Sequence, residues 1–237
     1  MTGEWAELDD EGRRIYAGLH RVLLRLAGRF PDEVTTHARR MLGSGDLAYL
    51  PDTVLGSAVD LGLSMPEADV ELLRNALVAL GIPDEPAGAE QVRIAAGTPA
   101  TEHRFAPVRP ELLASAGERI PSDLDLTGGA PTELADLAED LTDLADDLVV
   151  DALSEEDGVL AIRRTWRLAP DQPARRVYLV EVAPHVEAWD LVLVAHRELA
   201  AMGEEHPQVE VFWTGDDLPP YHRAAQAAAT LLHRETG

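Results

Sequence analysis

The sequence predicts an α+β protein. An N-terminal helical domain is followed by a small mixed β-sheet region in the order β-β-α-β-α, introduced by an acidic leucine-heptad helix. Three observations carry this. Apolar residues recur at helical spacing through the first third, and the last third switches between strand alternation and helical spacing. Between them, leucines three and four apart stand among carboxylates. The divisions expected are a helical domain over 1–82, a linker with a weak β segment over 83–130, and an α/β domain over 131–237 that begins with the acidic helix.

In the first helix Ile15, Leu19, Val22, Leu23 and Leu26 share a face, and Arg13, Arg14, Arg21 and Arg25 lie opposite. Pro31 opens a second helix that runs to Leu42 and is stopped by Gly43-Ser44-Gly45. A third spans Pro51 to Leu61. The fourth has a capping-box pattern, Ser64-x-x-Glu67, a stripe of Val70, Leu73, Leu77 and Leu80, and Gly81 to close it. Residues 82–90 read as a linker, Gln91–Ala95 and His103–Val108 as short strands, and Pro110–Arg119 as one or two helical turns.

From Ile120 to Asp157 the chain holds thirteen carboxylates and no basic residue, more than half of its net charge of -23. Glu133 to Leu153 reads as one helix. Leu134, Leu137, Leu141, Leu144 and Leu148 make a 3–4–3–4 seam, and Glu133, Asp136, Asp140, Asp143 and Asp147 surround it. Two heptads are too few for a free coiled coil. The simplest account packs the seam on the chain's own core. A second docks the seam or the acid face on a partner or another copy, and a third has the carboxylate rows imitate a phosphate backbone. The arginines of the following hairpin (Arg163, Arg167, Arg175, Arg176) are the natural internal counterions, each exposed pair contributing about 0–1 kcal/mol.

Val159–Leu168 alternates, with Leu160, Ile162, Trp166 and Leu168 opposite Arg163, Thr165 and Arg167. A turn leads to a strand over Arg176–Ala183. Pro184–Gly203 reads as a helix with Trp189, Leu193, His196 and Ala200 inward, Gln208–Trp213 as a strand, and the Ala-rich end from Asp216 as a final helix. A helical crossover makes the last two strands parallel.

Composition narrows the function. All twenty basic residues are arginine, asparagine occurs once and cysteine is absent. Disulfides, thiol catalysis, lysine Schiff bases and a phosphate-loop lysine are thereby excluded. The Arg-only pattern fits a high-GC bacterium, with salt adaptation as the competing cause. The N-terminus lacks a signal-peptide pattern and no apolar run reaches membrane length, so a cytoplasmic protein is expected. The charge disfavours nucleic acid and anionic lipid, and leaves a basic protein partner or self-association.

No nucleotide, hydrolase, zinc or calcium motif occurs, and no catalytic residue, metal or cofactor is assigned. His185, Asp216, Asp217, Tyr221, His222 and Arg223 fall at the carboxyl ends of the two parallel strands, where open sheets hold ligands. Converging there, they offer an acid–base pair or a His/Asp metal site. More simply, Asp217 caps a helix, Tyr221 packs and the two histidines are solvated. The reading adopted is a non-catalytic bacterial protein acting by protein–protein interaction, as adaptor, regulatory subunit or immunity-type inhibitor. Its contact residues are Glu133, Asp136, Asp140, Asp143 and Asp147. The alternative is a small-molecule-binding or hydrolytic α/β domain using the His185–Arg223 set.

Overall fold

The computed structural model describes residues 8–100, 102–169 and 172–235, and is α+β. Helix α1 (Asp10–Leu26) starts where the Asp9 carboxylate accepts the Gly12 N–H at 2.7 Å. Asp10 and Glu11 in its first turn and Arg25 in its last suit the helix dipole. It ends before Gly28, whose φ of +70° is easy only without a side chain; a Cβ there would stand 2.4 Å from the Tyr221 ring. α2 (Asp32–Gly43) and α3 (Leu50–Asp60) follow, then β1 (Ser64–Met65) and α4 (Glu67–Ala79).

The capping box expected at Ser64 does not form. Met65, directly before Pro66, is steered away from helix, so Ser64 and Met65 run extended as β1 and Pro66 itself occupies the cap position. The segment expected as a linker is packed down on α3. The Ala87 N–H donates to Asp52 Oδ1 at 2.8 Å, Ala89 and Val92 are buried, and Gly88 leaves only 3.0 Å between a built Cβ and the Leu55 backbone. β2 (Arg93–Ile94) then pairs in parallel with β1.

β3 (Arg104–Ala106) and α5 (Pro110–Ala116) lead into the acidic segment. This is not one helix. A 3-10 turn over Thr132–Leu137 runs into the short α6 (Ala138–Leu141), Thr142 is extended, and α7 (Leu144–Ser154) begins afresh. Asp143 caps α7 by accepting the Ala145 and Asp146 N–H groups at 3.0 and 3.3 Å, while Asp146 Oδ2 accepts the Asp143 N–H. This is a capping box made of two aspartates. The helix therefore presents Ala145, Val149 and Leu153 to the core, and Leu144, a seam residue by the heptad pattern, is 62% exposed.

The sheet is built on β4 (Val159–Leu168), antiparallel to β5 (Arg175–Val182) on one side. α8 (Ala188–Ala201) crosses over to β6 (Gln208–Trp213), which lies parallel to β5 at the sheet's edge. α9 (Pro220–Gln226) is only seven residues long. The chain then forms a strand that the Ala-rich pattern hides, β7 (Thr230–Arg234), so the order is β-β-α-β-α-β. β7 and β3 divide the other side of β4, pairing with Ala161–Arg164 and Trp166–Leu168 respectively.

One sheet face carries Ile162, Tyr178, Val180, Val182, Val209 and Val211 against α7 and α8. Their core is continuous with that of α1 to α4. On the other face Leu179 and Phe212 pack with Leu218, Ala225 and Ala229, and with Leu24 of α1. Of the residues expected to face inward on α8, Trp189 and His196 are buried, Leu193 is half-buried and Ala200 is exposed. Among the described residues no helix is long and apolar enough to cross a membrane.

The broken acidic segment predicts a clear contrast. Leu153→Ala, at 0% exposure, lowers stability by about 2–5 kcal/mol. Leu144→Ala changes it by less than about 0.5 kcal/mol. Urea denaturation of both variants decides; equal losses would restore the continuous seam.

Candidate functional site

As the edge strand, β6 leaves one row of backbone groups without a strand partner. Side chains of the N-terminal helices meet two carbonyls along it. His20 of α1 donates through Nε2 to the Val211 carbonyl at 2.7 Å, and the Thr36 hydroxyl of α2 donates to the Pro207 carbonyl at 3.2 Å. The Gln208 amide donates back to Thr36 at 3.2 Å. Burial pushes the His20 imidazole down to about 4, so it is neutral and keeps this hydrogen bond near neutral pH.

Beside this edge lies a buried charge cluster. Glu210 of β6 accepts from Arg39 of α2 and from His222 Nε2 of α9, the latter at 2.8 Å, and all three side chains are sealed from solvent. Burial alone would raise the Glu210 carboxyl, but Arg39 and His222 outweigh it and hold it down to about 2. Arg167 of β4 grips Asp32 with bonds of 2.7 and 2.6 Å and reaches the Tyr221 hydroxyl at 3.5 Å. Glu210 was missed at the sequence level; the available signal was a lone carboxylate among the apolar residues of QVEVFW, where a buried charge needs a partner.

The six residues expected at the strand ends do not converge. Tyr221 and His222 point into the sheet, and the partner of His222 is Glu210, not Asp216 or Asp217. His185 is exposed and stands 3.8 Å from Asp157. Asp216 takes a two-bond grip from Arg21, both at 3.1 Å, and Asp217 pairs with Arg223 at 3.4 Å. Of the six, Asp216, Asp217 and Arg223 line one cleft, together with Arg21 and Arg25, and Tyr221 borders the adjoining one. Proximity, not chemistry, misleads here: neighbours along the chain point to opposite sides of one short helix. Among the described residues no group of three or more His, Asp and Glu side chains is placed to hold a metal ion.

In the acidic segment Asp136 pairs with Arg119 at 2.6 and 2.9 Å, Asp140 with Arg109, and Asp143 with Arg176. Glu133 and Asp147 are exposed and take part in no ion pair among the described residues. Of the hairpin arginines expected as counterions, Arg176 serves, while Arg163 pairs with Glu181, and Arg167 and Arg175 with Asp32. The deepest contact is made instead by Arg164. It donates to Asp146 at 3.0 Å and to the Pro107 and Leu141 carbonyls at 3.1 Å, and Tyr178 donates to the other Asp146 oxygen at 2.9 Å. Burial pushes the Asp146 carboxyl up, with Arg164 opposing.

Comparison with protein-family models, with curated proteins and with solved structures gives no match.

Two predictions follow from the buried polar groups. Glu210→Gln leaves Arg39 buried without its counterion and costs about 3–5 kcal/mol, measured by chemical denaturation at neutral pH. His196 is buried, has no hydrogen-bond partner on either ring nitrogen among the described residues, and is held by burial down to about 3. The unfolded chain thus takes up this proton first: the stability is fully present above about 6.5 and is lost as pH falls toward 3. His196→Leu removes up to about 1.4 kcal/mol per pH unit of acid slope within that window, read from urea midpoints at several pH values.

Proposed function

We propose that the chain is a non-catalytic binding protein that engages a basic protein partner through the solvent face of α7. One observation carries this. Leu144, Asp147 and Asp151 recur on one face of α7, continued by Glu155 at its end; all are exposed and the three acids lack ion pairs among the described residues. Nearby arginines are already engaged: Arg109 and Arg119 with carboxylates before α7, Arg164 and Arg176 with Asp146 and Asp143.

The placement opposes stability. Asp151, Glu155 and Glu156 crowd the negative end of the α7 dipole, and no basic residue lies in its last turn. A cationic surface laid on this face would relieve that repulsion and cover Leu144. Charge complementarity of this kind speeds encounter and selects the partner.

The experiment combines Asp147→Asn, Asp151→Asn and Glu155→Gln in one tagged full-length chain. Neutralising Asp151 and Glu155 raises stability by a few tenths to about 1 kcal/mol, offset in part at Asp147, which lies in the first turn of α7. A basic protein that co-purifies stoichiometrically with the unaltered chain at low ionic strength is lost from this variant. Retention of the same partner by the variant, or no stoichiometric partner with the unaltered chain, removes the reading.

A further inference from the structure

Arg21 and Arg25 stand four residues apart near the end of α1, a spacing that puts neighbours about 5–6 Å apart on a helix, and Arg29 follows in the turn just past it. They border two adjoining clefts of about 550 and 480 Å³ that share Arg25 and Thr98 and so form one groove. Each volume falls within the range of small-ligand sites. Arg223 from α9 faces the same groove, whose apolar side includes Leu24, Leu218 and Pro219.

The counterions are unevenly shared. Asp216 is held by Arg21, which also stacks 4.5 Å over the Trp213 ring. Both oxygens of the nearly buried Asp69 are taken by Arg25, at 2.8 and 2.5 Å. That leaves Arg29, half-buried, donating only to the Ser64 carbonyl at 2.6 Å, with no ion pair among the described residues. Burial disfavours its charge and Asp69 only partly offsets this. The other carboxylates at the groove, Asp217 and Glu102, stand in solvent, where screening weakens them. A partly desolvated guanidinium with free donors matches the paired oxygens of a carboxylate or phosphate.

We propose that this groove binds a small organic anion, its phosphate or carboxylate group held by Arg29 beside Arg25 and its uncharged body against Leu24, Leu218 and Pro219. The site does not depend on the role assigned to α7.

The test is calorimetric titration of the full chain at low ionic strength with glycerol 3-phosphate, inorganic phosphate and succinate. At least one binds with a Kd of about 1 mM or tighter. Binding of the phosphates alone assigns the headgroup as phosphate, and of succinate alone as carboxylate. Arg29→Gln weakens the bound probe by about tenfold or more, whereas Arg197→Gln, on the exposed face of α8, leaves it unchanged. If Arg29→Gln fails to fold by circular dichroism, the more exposed Arg223→Gln takes its place and weakens binding by about threefold. No heat from any probe at about 10 mM overturns the proposal, as does equal weakening by a groove variant and Arg197→Gln.

Discussion

The edge of β6 that lacks a strand partner is the constraint on which the architecture turns. A parallel strand at the end of a sheet offers its free backbone groups to any passing chain, and proteins commonly cover or charge such edges. Here α1 and α2 cover it with side chains: His20 meets the Val211 carbonyl and Thr36 the Pro207 carbonyl. Beside that edge Arg39 and His222 close on Glu210 from two different helices. The carboxylate is accommodated in the interior only with the Arg39 guanidinium and the His222 imidazole both in place, so α2, β6 and α9 are tied to a single arrangement. Hydrophobic contact would hold the N-terminal helices against the sheet in many registers. A buried ion cluster tolerates few, which suits a specifying role better than a large stabilising one.

The same logic at a second place explains the acidic segment. Its leucine spacing favours one long helix, but Arg164 is buried in the sheet at a position of otherwise apolar parity, and its charge must be met. Asp146 meets it, with Tyr178 on the other oxygen, and the Leu141 carbonyl takes a further N–H. A helix whose carbonyl is drawn to a guanidinium at Leu141 and whose Asp146 must face inward cannot also keep Leu144 in the core. The chain breaks at Thr142 and Asp143 restarts it. Electrostatic demand from the sheet thus overrides local periodicity.

This shows how far the sequence carries. The helices α1 to α4, β4, β5, α8 and β6 were legible, because each has a face whose period is its own and a Pro or Gly near its end. β7 was not: TLLHR is short, follows alanines, and owes its conformation to the edge of β4 and to Asp125–Leu126. The candidate sites were legible in part. Asp216, Asp217 and Arg223 share a cleft as the strand-end rule expects, but the groove's arginines come from the far end of the chain. Arg21 and Arg25 were visible only as the polar face of a helix, and Arg29 carried no signal, since its meaning lies in Asp69 being fully occupied by a neighbour.

The chain's carboxylates divide by what they face. Glu210, Asp146, Asp69 and Asp32 are buried or nearly so and bound to arginine, and they hold elements together. Those of α7's outer face hold nothing within the described residues, and Asp151 and Glu155, at the negative end of the helix dipole, are mildly unfavourable to the fold. Solubility alone would be served as well by acids at helix N-termini, where they also stabilise. α1 and α2 follow that pattern, with Asp10, Glu11, Asp32 and Glu33 in their first turns. An excess of negative charge explains how many carboxylates the surface carries. It does not explain why Asp151, Glu155 and Glu156 gather at a helix end where they repel the backbone; the basic partner proposed above would.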